Sequence, residues 1–100
     1  MSRGKRSGTA TLDVFDFASP VPYARVGVVV PKHRHDIVER NLVKRRLREV
    51  LRREVLPRLD ACGLAVDVMV RAKREAYGVS YGDLRDQLVQ WAEKRCSRAR

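Results

Sequence analysis

Cysteines and aromatic residues are few in this 100-residue chain, two thiols and six rings, and its 12 Asp+Glu are well outnumbered by basic residues. Cys62 and Cys96 lie far apart and form no metal-ligand spacing, and a cytosolic chain keeps such cysteines as thiols. His33 and His35 alternate without a nearby Cys or carboxylate cluster, which speaks against a zinc site. The longest apolar run covers only residues 26–30, far short of the roughly 20 residues that span a bilayer. Behind the basic opening Met1–Arg6 no apolar stretch follows, which speaks against a secretory signal. Ser/His/Asp sets, Gly-rich phosphate loops and clustered carboxylates are missing too, so the chain has little with which to build an active site of its own.

What the chain does have is positive charge. Its 22 Lys+Arg leave a formal net charge of +10 on what is, by size, a single domain. Such a body attracts polyanions, nucleic acid first and anionic membrane second. Residues 1–8 are basic and lack periodicity, and read as a flexible lead-in; residues 97–100 read as a basic tail. Residues 9–96 form the expected domain. From Thr9 the pattern is β-like, with Leu12 and Val14 facing one way and Asp13, Phe15 and Phe17 the other. Residues 19–22 hold two prolines and predict a turn, with room for a short strand before Ala24. Residues 24–30 predict a buried strand containing Gly27, and residues 64–71 an alternating one. A helix is predicted over 36–59, N-capped by Asp36 and ending near Pro57 or Gly63. Ser80 and Asp83 predict the capped start of a last helix, whose Leu84, Leu88 and Trp91 form one stripe. The order β-β-α-β-α gives a two-layer α/β sandwich: a small mixed sheet with helices on one face.

Residues 40–53 carry seven basic residues and one acidic one, net +6. Positions four apart on a helix drift only about 40° around the axis. Arg40, Lys44, Arg48 and Arg52 therefore make a ladder, with Asn41 and Arg45 beside it, while Val43, Leu47, Val50 and Leu51 gather on an adjacent arc. Each like-charged pair along the ladder costs a few tenths of a kcal/mol, relieved in part by Glu49 through Arg45 and Arg53. A phosphate backbone reverses the sign. A membrane-surface or calmodulin-type helix would instead expose the apolar arc that so small a core needs. Lys32, with His33, Arg34 and His35, extends the basic track. Phe15 and Phe17 offer a stacking surface to unpaired bases if the helices cover the opposite face, and Tyr23 is placed to join them.

The run from Arg25 to Lys32 (Arg-Val-Gly-Val-Val-Val-Pro-Lys), followed by the run from Val38 to Glu49, resembles the protein subunit of bacterial ribonuclease P. The strand around Val66 and the closing helix are similar to that family's last β-α unit, so the likeness covers roughly residues 9–96. The resemblance implies a split β-α-β unit with a left-handed crossover, where general chirality favours the right hand. It implies a protein subunit of a ribonucleoprotein endonuclease that matures the 5′ end of tRNA. There the catalytic RNA cuts with its own Mg²⁺, and the protein holds no cofactor. Implied partners are that RNA, in a 1:1 cytoplasmic particle with a monomeric protein, and precursor tRNA; no membrane is involved. By position, Arg40, Asn41, Lys44, Arg45 and Arg48 fall on the RNA-contacting motif, Lys32 on its basic loop, and Phe15 where an aromatic lines the cleft for the 5′ leader. Leu42 stands in place of the second Arg of the motif, and Pro31 and His33 in place of small polar and basic residues. The family's leading helix has no counterpart in the eight residues before Thr9. A ribosomal or other structural RNA-binding protein of similar split α/β fold is the alternative.

Overall fold

The computed structural model describes residues 5–9, 11–32 and 36–98. Four strands, β1 (Lys5–Gly8), β2 (Leu12–Ala18), β3 (Arg25–Val29) and β4 (Val66–Ala72), form one sheet in the order β1-β2-β4-β3. β2 runs antiparallel to both β1 and β4, whereas β3 and β4 are parallel neighbours. Parallel neighbours need a long crossover, and here it is α1 (Ile37–Val50), a π-helical turn (Leu51–Val55) and α2 (Leu56–Ala61). α3 (Tyr81–Arg98) follows a 3₁₀ turn at Arg74–Gly78 and closes the described chain.

Alternation decides which face is covered. Leu12 and Val14 of β2, and Val66, Val68, Val70 and Ala72 of β4, are buried against Val43, Leu47 and Val50 of α1 and Leu84, Leu88 and Trp91 of α3. Asp16 continues the inward row of β2 and is only 6% exposed, and the Arg95 guanidinium of α3 meets its carboxylate there. A buried charge needs such a partner. Asp13, Phe15, Phe17, Asp67, Met69 and Arg71 point to the opposite face, which carries no helix among the described elements.

Local signals set the helix ends. Asp36 accepts from the Glu39 amide at 2.8 Å while its own amide donates to Glu39 Oε1 at 3.3 Å, so both halves of a capping box form. At α3 only the forward half forms among the described residues, with the Asp83 amide donating to Ser80 Oγ at 3.2 Å; an Asp side chain is one methylene too short for an easy return. The first long helix ends in a Schellman motif. Gly63 takes φ +73°, its amide donates to Asp60 O at 3.1 Å, and the Leu64 amide donates to Leu59 O at 3.0 Å. Pro57 does not end this helix as one reading of the sequence had it. Its ring would press on the carbonyl four residues back, and the wider π turn at Leu51–Val55 lies where that clash would fall.

Three expectations need correction. Residues 5–8 are not a loose lead-in but an edge strand, held in register from Lys5 opposite Asp16 to Gly8 opposite Asp13. The stretch between Pro20 and Ala24 holds no strand. Cys62 and Cys96 are not separate thiols: their Cα atoms are 5.9 Å apart and a disulfide joins them, clipping the end of α2 to α3. Helix packing, which spacing in the sequence does not reveal, brings them together. The basic end of the chain continues α3 as far as Arg98.

Candidate nucleic-acid interface

α1 presents its basic residues because its apolar arc is pinned. Val43, Leu47, Val50 and Leu51 are buried, which turns the other side of the helix outward. The ladder predicted from four-residue spacing fans out rather than standing straight. Arg40 and Lys44 are half-buried, while Arg48 and Arg52 are exposed; a drift of about 40° per step rotates the early members toward the protein. Asn41 and Arg45 are exposed, so the outward line runs Asn41, Arg45, Arg48, Arg52. Asn41, Lys44, Arg45 and Arg48 line a groove of about 600 Å³ together with Val38 and Leu42. A depression of about 460 Å³ continues it past Arg45, Arg48, Glu49, Arg52 and Arg53.

Lys44, Arg45, Arg48 and Arg52 make no ion pair among the described residues. Glu49 pairs with Arg53 at 3.3 Å, and the expected relief through Arg45 is not made. Arg46 leaves the line, since its Nη1 donates to Val79 O at 3.4 Å. Arg40 is turned toward Tyr77, with its buried Nε making no hydrogen bond among the described residues. Burial pushes the Tyr77 hydroxyl above its usual range against the pull of Arg40. That hydroxyl donates to Pro31 O at 2.7 Å, tying the 3₁₀ turn to the loop before α1. Lys32 is exposed at the start of that loop; His33, Arg34 and His35 lie outside the described residues. Sequence reasoning missed the apolar flank of the line. Ile37, Val38 and Leu42 are exposed at the start of α1, and spacing alone gave no reason to leave them there.

The open sheet face is a different surface. Phe15, Met69 and Gly27 lie in one cross-strand row, and Phe17, Asp67 and Arg25 in the next. Phe17 and Met69 are each 38% exposed, Phe15 is half-buried, and Tyr23 is exposed nearby. Phe17 and Met69, with Arg25, Gly27 and Asp67, bound a shallow groove of about 420 Å³, to which Phe15 and Tyr23 do not contribute. A Cβ on Gly27 would come within 3.1 Å of Met69 Cε, so its absence leaves room for the Met69 methyl to lie over β3. Arg25 grips Asp67 through two bonds, Nε at 2.8 Å and Nη2 at 2.6 Å. That fork holds the Asp67 carboxyl below its usual range and the guanidinium above its own. Among the described residues no three His, Cys, Asp or Glu side chains come together as metal ligands, and no helix is long and apolar enough to cross a membrane.

Architecture and surface together define a small basic α/β protein that offers a cationic helix beside an aromatic sheet face. The chain belongs to the ribonuclease P protein family, whose model matches residues 1–95. It is 40% identical over 75 residues to the ribonuclease P protein component of Thermus aquaticus and 41% identical over 75 residues to that of Thermus brockianus. Each match takes in 75% of this chain but 42% of the relative, so the chain spans less than half the length of these curated relatives. The fold is shared with the RNase P protein from Thermotoga maritima, at TM-score 0.75 and 22% identity over 91% of this chain and 83% of that one. It is shared likewise with the Staphylococcus aureus RNase P protein, at TM-score 0.69 and 21% identity over 91% and 79%.

Proposed function

We propose that the chain is the protein subunit of a cytoplasmic ribonuclease P, one copy per catalytic RNA, assisting Mg²⁺-dependent maturation of the tRNA 5′ end. The observation that carries this is the outward line Asn41, Arg45, Arg48, Arg52, whose cations lack protein partners among the described residues. Phosphates of the catalytic RNA meet that line, with Arg40, Lys44 and Lys32 at its margins, and each phosphate neutralised releases condensed counterions. The unpaired 5′ leader of precursor tRNA lies on the sheet, its bases against Phe15, Phe17 and Met69. Side chains of the protein take no part in bond cleavage. The RNA subunit holds the Mg²⁺.

The test is reconstitution. Added to a bacterial ribonuclease P RNA at low Mg²⁺, the protein is expected to raise the rate of 5′ processing of precursor tRNA well above that of RNA alone. Tight RNA binding without stimulation would favour a structural RNA-binding protein instead.

A further inference from the structure

A cavity of about 730 Å³ lies away from both surfaces, between the β1–β2 turn and one flank of α3. Its size falls within the range of ligand sites. Gly8 and Thr9 form one wall; Gln87, Trp91, Lys94 and Arg98, at i, i+4, i+7 and i+11, form the other. The two walls are tied. The hydroxyls of Thr9 and Thr11 both donate to Gln87 Oε1, the latter at 2.7 Å, so the cavity is built before anything enters it. The Trp91 indole, 6% exposed, supplies an apolar side.

The charge of this cavity is one-signed. None of the described residues that line it is acidic. Lys94 and Arg98 stand one turn apart, exposed and without an ion pair among the described residues. Cations in the last turn of a helix complement its dipole, which accounts for Arg98. It accounts neither for Lys94 a turn earlier nor for a preformed hollow beside it.

We propose that this cavity is a second RNA site, taking an unpaired nucleotide of single-stranded RNA. Its phosphates meet Lys94 and Arg98, and its base or ribose fills the space beside Trp91. The inference rests on the RNA-binding reading above and adds a surface to it.

Trp91 is the sole tryptophan of the chain, so its emission reports on this cavity. The full chain is titrated with an eight-nucleotide single-stranded RNA, followed by anisotropy of a 5′-fluorescein label and, unlabelled, by Trp91 emission. Emission is expected to change saturably with the same midpoint as anisotropy. Lys94→Ala with Arg98→Ala should weaken binding about tenfold, the scale of two lost phosphate contacts, and remove most of the emission change. Ser97 also lines the cavity; Ser97→Phe fills it without altering its charge and should also abolish the change. Arg45→Ala with Arg48→Ala should weaken binding while leaving the emission change at saturation intact. Saturation by anisotropy with unmoved Trp91 emission would overturn the second site alone, as would an emission change indifferent to Lys94 and Arg98. Absence of any anisotropy rise would overturn the RNA-binding reading and the second site with it.

Discussion

Replacing Arg48 by Ala should make the free protein more stable and its RNA complex weaker. Arg48 is exposed, has Lys44 one turn before it and Arg52 one turn after, and pairs with no carboxylate among the described residues. Its removal deletes two like-charged contacts. At about 0.2–0.5 kcal/mol each, the gain is about 0.4–1 kcal/mol, and Ala adds no propensity cost in a helix. For a domain of this size 1 kcal/mol moves Tm by about 4–8 °C, so a rise of about 2–8 °C is expected.

Two controls separate this from generic stabilisation. At about 1 M salt the Debye length shrinks to about 3 Å, and the difference in Tm should nearly vanish. In the complex the sign reverses, because one phosphate contact is lost. The log–log dependence of RNA affinity on salt should become shallower by about one unit. Calorimetry at low and high salt, with filter binding over a salt series, gives both readouts. A lower Tm for Arg48→Ala at low salt, or an unchanged salt slope, would refute the claim that this line is a strained row of cations awaiting phosphate.

Other outcomes follow from the core and its ties. Leu47→Ala, at a fully buried position, should cost about 2–5 kcal/mol by denaturant titration, with RNA affinity at low temperature nearly unchanged if α1 still forms. Opening the Cys62–Cys96 link, which closes a loop of 34 residues in sequence, should cost about 2–4 kcal/mol; unfolding midpoints with and without reductant check this against Cys62→Ser. Arg58 first, and Arg85 with it, hold the Glu54 carboxyl below its usual range. The folded state therefore binds fewer protons there than the unfolded chain, and this stabilisation, complete above the usual glutamate range, is lost as pH falls below about 4. Glu54→Gln should accordingly flatten the acid limb of the Tm–pH curve and lower its neutral part by an amount that does not vary with pH.

The sequence reveals most where one residue type does one thing. Val66, Val68 and Val70 alternate and are buried; Asp36 begins a helix and Gly63 follows its end; Trp91 sits in the core. β1 escaped notice because Lys5–Gly8 has no apolar alternation: its strand character comes from pairing with β2, a tertiary contact. Asp16 reads as an outlier in an inward row until Arg95, 79 residues away, is seen to meet it. The site was legible as a charged helix, but not in its detail. Spacing treated Arg40 and Arg48 alike, whereas packing half-buries the first and exposes the second. The Arg25–Asp67 fork spans 42 residues and has no local signature.

That fork makes the two faces unequal in their response to ionic strength. Arg25 is neutralised by Asp67 and Lys73 lies 3.8 Å from Asp13, which leaves Arg71 as the exposed cation of that face without an ion pair among the described residues. The outward line of Arg45, Arg48 and Arg52 has no such compensation among the described residues. A polynucleotide lying across both would be sorted by moiety, sugar-phosphate to the helix and nucleobase to the strands. Raising potassium chloride should then strip the former grip first, leaving a weaker residual attachment that discriminates among base types.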